Sequence, residues 1–164
     1  MLSDEALRSI GVALMTWTHS SFKESSDEHY TPKWIFDELQ TVFDLDVAGS
    51  ENSCVPAVRI YTKEIDGLSQ AWNGFIWMNP PYSKPTPWVE KFIQHNNGVA
   101  LLPVTKGRWF DALWDGDTVI ALLPYNQSFE RPSEKPKQIT FRTVLIGMGQ
   151  GKEVVTKYKK HKSR

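Results

Sequence analysis

Phe75-Ile76-Trp77-Met78-Asn79-Pro80-Pro81-Tyr82 runs from four apolar side chains straight into a carboxamide, two prolines and a phenol. A short apolar run bounded in this way reads as a buried strand. A proline pushes the residue before it into extended backbone, so Asn79 cannot relax into a helix and the strand ends in a stiff corner. The groups at that corner suit the holding of a planar amine. Asn79 offers a side-chain carbonyl, Pro80 a backbone carbonyl with no N–H of its own, and Tyr82 a flat ring. The plainer alternative is a proline pair that only ends a strand, with Tyr82 packed under a loop. The apolar strand before the corner and the helix after it favour the chemical reading.

Upstream, residues 3–17 read as a helix capped by Ser3, with Asp4 and Glu5 in its first turn, and residues 18–29 as a polar loop. Thr31 as cap and Pro32 as first helical residue open a second helix, with Trp34, Ile35, Leu39, Val42 and Phe43 on its apolar face and an end near Phe43 or Asp44. Residues 45–48 are expected to form a strand, 51–53 a turn and 59–62 a second strand, and Asp66-Gly67 marks a turn. Beyond the corner, residues 83–87 read as a loop, 88–95 as a helix, 99–103 as a strand, 107–114 as a helix, 118–123 as a strand, 129–137 as a loop and 140–147 as the last strand. Apolar strands alternating with helices imply an α/β sheet with helices on both faces, its later strands closing an antiparallel edge. Ligands of such sheets lie beyond the strand C-terminal ends, where residues 46–48 and 79–82 converge.

The 164 residues suit one domain, with residues 1–29 as an N-terminal helix and loop and 152–164 as a basic tail. Seven Trp, eight Phe and five Tyr are expected mainly to fill the core. Nineteen basic and nineteen acidic residues cancel, so bulk charge does not make the chain a polyanion binder. The tail from Lys157 to Arg164 can meet DNA or simply end in solvent. A single cysteine, Cys54, excludes an intramolecular disulfide and a cysteine-based zinc cluster, and fits a reducing cytosol. The four histidines are scattered and form no metal site. No run approaches about 18 apolar residues, and the N-terminus lacks a secretory signal, so a cytoplasmic protein with no membrane partner is expected.

An exocyclic amine on an aromatic ring is a poor nucleophile because its lone pair is delocalised. Two acceptors aimed at its N–H bonds draw the nitrogen toward a pyramidal geometry, and they help most when they need no reorganisation. Alignment of amine and methyl donor supplies the remaining advantage. A ring stacked on the target by Tyr82, worth roughly 1–3 kcal/mol, offsets part of the cost of flipping a base from a duplex.

With its flanks, this corner resembles the small bacteriophage DNA N6-adenine methyltransferases, the phage Dam-type family. The likeness runs from about Tyr30 to Gly149. Its carriers are Tyr30-Thr31-Pro32, Phe43-Asp44-Leu45-Asp46-Val47-Ala48, Asn52, Asp66-Gly67-Leu68, Trp72, Trp77-Met78-Asn79-Pro80-Pro81-Tyr82-Ser83, Trp88-Val89-Glu90-Lys91, and Leu102-Pro103 to Trp109-Phe110. The resemblance implies a Rossmann-like methyltransferase sheet, S-adenosyl-L-methionine as methyl donor, double-stranded DNA as partner and adenine N6 as acceptor, with GATC as a target to try first. It also implies that Asn79, Pro80, Pro81 and Tyr82 are catalytic. Thr31, Pro32, Asp46, Ala48, Asp66 and Asn79 would bind the cofactor. Thr31 and Pro32 would help close its site, Asp46 and Ala48 lie in the first-strand segment, and Asp66 sits near its adenine or on the substrate side. Two departures stand out. No Gly-x-Gly follows the first strand, so the usual glycine loop is absent or rearranged. The motif begins with Asn rather than the commoner Asp; a carboxamide is no strong base, so the mechanism leans on acceptor geometry.

Other readings stay open at this level. Asp46 can cap a strand end, Asp66 can belong to an ordinary turn, and Lys106 and Arg108 can meet phosphate or solvent. Residues 83–87, 125–137 and the tail are candidate DNA contacts, and a homodimer would enlarge that surface. Protein glutamine, cytosine N4 and guanine N2 are alternative amine acceptors, and a non-catalytic DNA-binding or host-interaction protein on the same fold is a reading of another class. Cytosine C5 is disfavoured, because it needs a thiolate and Cys54 is remote in sequence from the corner.

Overall fold

The structure is a computed structural model and describes residues 30–105, 107–124, 128–129, 137–138 and 141–163. The expected helix at 3–17, the loop at 18–29, Lys106 and most of the loop at 125–137 lie outside the described residues. In chain order the elements are α1 (Lys33–Leu39), β1 (Phe43–Asp46), β2 (Ala57–Ile60), β3 (Ile76–Met78), α2 (Thr86–His95), β4 (Gly98–Pro103), α3 (Arg108–Trp114), β5 (Val119–Leu122), β6 (Ser128–Phe129), β7 (Lys137–Gln138), β8 (Thr143–Met148) and α4 (Gly151–Lys162).

Six strands form one mixed sheet in the order β2-β1-β3-β4-β8-β5. β2, β1, β3 and β4 are parallel. β8 runs antiparallel to both β4 and β5. The antiparallel strand therefore lies inside the sheet, and the edge strand β5 runs in the same direction as β4. β6 and β7 pair as a separate two-stranded ribbon within the stretch read as a loop.

The core explains why the strands read as continuous apolar runs, since both faces of the sheet are covered. Ile76 and Met78 of β3 face one cluster, built with Trp88, Val89 and Phe92 of α2 and Phe110 and Leu113 of α3. Phe75 and Trp77 face the other, built with Ile35, Phe36 and Leu39 of α1 and Val155 and Tyr158 of α4. Helices thus cover both faces. Among the described residues no helix is long and apolar enough to cross a membrane.

Three local expectations are corrected. α1 stops at Leu39, where Gln40 turns left-handed at φ 47°, and does not reach Phe43. Phe43 and Asp44 are taken by the sheet instead. Phe43 N–H donates to Pro56 O at 2.8 Å, and Asp44 Oδ2 accepts the Phe75 N–H at 2.7 Å. The β-branched pair Thr41-Val42 favours this extended backbone. Thr31 makes no cap: Pro32 holds the N-cap position, and no side chain bonds the first turn. Finally, the basic tail is the helix α4, held by burial of Val155 and Tyr158. Burial of Val155 alone contributes about 1.5–3 kcal/mol, more than any one of its exposed ion pairs can.

Candidate active site

Parallel pairing sets the height of each strand end. Asp46 is level with Ile60 of β2 on one side and with Trp77 of β3 on the other. The segments that follow, 47–50, 61–63 and 79–82, must therefore leave the sheet along one rim. The first two are laced together there: Tyr61 N–H donates to Asp46 O at 2.8 Å, and Gly49 N–H to Tyr61 O at 2.9 Å. Val47 N–H donates to Trp77 O at 3.1 Å, tying β1 to the strand that carries the corner.

A cavity of about 200 Å³ opens at this rim. Of the residues singled out in the sequence, Thr31, Asp46, Ala48, Asp66, Asn79 and Pro81 line it. Pro32, Pro80 and Tyr82 do not. Pro32 and Pro80 are buried beside it. Tyr82 points elsewhere: its hydroxyl lies 3.5 Å from Leu101 O, and its ring meets Phe141 edge-on at 5.9 Å. Burial pushes the Tyr82 phenol pKa up, so it stays protonated.

Thr31 is only 4% exposed. Its Oγ1 accepts a hydrogen bond from Asn79 Nδ2 at 3.1 Å. The residue read as a helix cap thus orients the corner carboxamide. With Nδ2 directed at Thr31, the opposite end of the amide, Oδ1, is its acceptor end.

Asp46 is 2% exposed. Its Oδ1 accepts the Ala48 N–H at 3.2 Å. Burial raises its pKa from 3.8 to about 7, and the Ala48 hydrogen bond opposes the rise only in part. A carboxyl held near neutrality inside a cavity is a candidate ligand-binding group. Gly49 keeps that carboxyl accessible to its own loop, because a Cβ there would lie 2.5 Å from Asp46 Oδ2.

Asp66 does form a turn, at φ 57°, with its carbonyl accepting both the N–H and the hydroxyl of Ser69. The turn also brings it to the cavity. Gly67 is required there: a Cβ would sit 1.9 Å from Val47 O.

Several cavity residues escape a sequence reading. Tyr61 and Thr62 look like strand residues, yet β2 ends at Ile60 and releases them onto the rim. Ser50 and Ser53 look like turn residues, yet both line the cavity, and Ser50 Oγ lies 3.1 Å from Tyr30 Oη. Trp77 and Trp88 look like core. The usable signal was the parallel register, which makes the residues after β2 neighbours of those after β1.

The mixed α/β sheet carries a cavity at the C-terminal rim of its parallel strands, bordered by a buried carboxyl from the first strand and a carboxamide just after the third. Residues 18–143 match the family described as DNA N-6-adenine-methyltransferase (Dam), and the chain belongs to that family. It is 35% identical over 106 residues to the DNA N-6-adenine-methyltransferase of Haemophilus phage HP1 (strain HP1c1), which covers 57% of this chain and 61% of that one. It is 40% identical over 75 residues to the DNA N-6-adenine-methyltransferase of Escherichia phage T1, covering 42% of this chain and 31% of the relative. The chain thus spans less than two thirds of either relative's length. No solved structure matches it.

Proposed function

We propose that this protein transfers a methyl group from S-adenosyl-L-methionine to the N6 amine of adenine in double-stranded DNA, on a Rossmann-like methyltransferase sheet. The observation that carries the reading is that Asn79 and the buried Asp46 border one cavity. The acceptor corner and a donor-binding carboxyl are therefore contiguous. Membership of the family supports the choice of DNA adenine over the other amines.

The cavity fits the donor chemically. Asp46 suits its ammonium group. Asp66 lines the same cavity and suits the ribose hydroxyls or the adenine amine. Ser53 Oγ and Trp77 Nε1 are shielded from solvent and have no hydrogen-bond partner among the described residues, and both residues line the cavity. A buried donor without a partner is uncommon, and a ligand carboxylate is an acceptor both can use. Tyr61 and Trp88 supply aromatic wall for a purine. When bound, S-adenosylmethionine supplies a methyl group activated on a sulfonium.

The chain's own residues do the rest. Asn79 Oδ1 and Pro80 O accept the two N–H bonds of the target amine and draw its lone pair out of the ring. Thr31 holds the carboxamide in the orientation this needs. Tyr82 lies outside the donor cavity; to stack on the target ring it exchanges its edge contact with Phe141 for the base. Neither a carboxamide nor a peptide carbonyl retains a proton at neutral pH, so the proton lost by the amine passes to solvent.

Methyl-labelled S-adenosylmethionine and unmethylated duplex DNA test the reading, with nucleoside analysis of the product and GATC among the first sequences tried. Label in N6-methyldeoxyadenosine is expected. Label on cytosine, or on protein alone, would overturn it.

A further inference from the structure

Lys91, in the second turn of α2, turns its ammonium onto the loop that brings Asp66 and Gly67 to the cavity. Nζ donates to Leu68 O at 2.7 Å, to Gly67 O at 3.4 Å and to Gln70 O. It also stands 5.0 Å from the centroid of the Trp72 ring. Trp72 in turn donates its Nε1–H to Gly67 O at 2.7 Å and stacks on Trp88 at 6.3 Å, and Trp88 lines the cavity.

Three carbonyls match the three N–H bonds of an ammonium. They converge because the chain reverses at Asp66, so these acceptors point inward toward α2 and away from any strand. The Gly67 carbonyl receives both Lys91 and Trp72. On its other side Gly67 is pressed against Val47, the residue after Asp46. The loop is therefore clamped between the end of β1 and a helix that starts four residues beyond Tyr82 (86 − 82).

We infer that Lys91 is a positioning residue for the adenosine part of the methyl donor: it fixes the Asp66–Gly67 wall of the cavity against α2, and through α2 against the Asn79 corner. This rests on the donor reading above. Lys91 touches no ligand itself. Its contribution is a wall already in place when the ligand arrives, which spares the ordering cost that a loose loop exacts on binding. It also makes Lys91 a poor candidate for a phosphate contact, since its donors are directed into the loop.

The test is calorimetric binding of S-adenosylhomocysteine and of 5′-methylthioadenosine, the adenosine end alone, to the unaltered chain and to Lys91→Met. Circular dichroism establishes that the variant is folded at the assay temperature. Loss of charge-assisted hydrogen bonds to the loop is expected to weaken both ligands by about tenfold, and by the same factor. A role in overall stability alone would lower Tm and leave both Kd values where they were, and that result overturns the inference. Should Lys91→Met fail to fold, Trp72→Phe removes the second donor to Gly67 together with part of the ring that meets Lys91 and Trp88, and is expected to weaken both ligands about threefold; unchanged affinity there overturns it equally. Failure of the unaltered chain to bind either compound would remove the donor reading and this inference with it. Normal binding by both chains would remove the inference alone.

Discussion

Replacing Asp46 with asparagine should make the ligand-free protein more stable at alkaline pH while weakening its hold on the methyl donor. The carboxyl is almost wholly buried, and its pKa is lifted from 3.8 to about 7. A carboxyl whose pKa is raised on folding binds more protons folded than unfolded between those values. Stability therefore falls as pH rises through that window, and the penalty is complete above about pH 7. The difference between 3.8 and about 7 corresponds to about 4 kcal/mol in full, of which about 2–3 kcal/mol develops between pH 5 and pH 8. Asparagine keeps an acceptor for the Ala48 N–H but carries no charge to desolvate. Urea unfolding followed by tryptophan fluorescence, at pH 5 and pH 8, measures the effect. The gain of Asp46→Asn over the unaltered chain should be larger at pH 8 by about 2–3 kcal/mol. An equal difference at both pH values would refute the argument, because it would mean that Asp46 ionises in the fold as easily as in the unfolded chain.

Four further outcomes are expected. S-adenosylhomocysteine should bind the unaltered protein more tightly at pH 8 than at pH 6, because Asp46 must lose its proton to pair with an ammonium, and calorimetry in buffers of different ionisation enthalpy should show the proton released; Asp46→Asn should lose that dependence. Asn79→Ala should abolish methyl transfer, a fall of at least about a hundredfold for a lost preorganised acceptor, while changing S-adenosylhomocysteine affinity much less; Thr31→Val should give a milder loss in kcat, since the carboxamide stays and loses only its bond to Thr31. Tyr82→Ala should lower kcat/KM for duplex DNA by about tenfold, in line with stacking of roughly 1–3 kcal/mol, and leave donor affinity unchanged because Tyr82 does not line the cavity; unaltered kinetics in this variant would make the ring structural.

The alternation of apolar strands and helices was legible because both faces of the sheet are buried, so β3, β4 and β8 read as unbroken apolar runs. Boundaries were less legible. The helical spacing of Leu39, Val42 and Phe43 pointed to one continuous helix, yet pairing of Phe43 with Ala57 outweighed that local pattern. The tail was misread because a lysine-rich segment hides two buried residues, Val155 and Tyr158, three positions apart. At the cavity, Asn79 stood out because it follows an apolar strand directly, and Asp46 because the segment after the first strand was expected on the same rim. Thr31 was read as a cap from its position before Pro32, and only the fold brings its hydroxyl to a carboxamide 48 residues away. Ser53 and Trp77 gave no signal at all, because an unpartnered donor is a property of the packed interior.

The position of β8 also bears on how the chain is made. β8 lies between β4 and β5, and it is the last strand of the sheet to be synthesised. When Leu122 emerges from a ribosome, the strand that will join β5 to the sheet is still unmade. At about 5–20 residues per second the wait until β8 is complete lasts on the order of one to five seconds. During that interval β4 and β5 each present an unpaired edge, a template for strands of other nascent chains. A ribosome stalled before Met148 would leave such a chain sticky for as long as the stall persists.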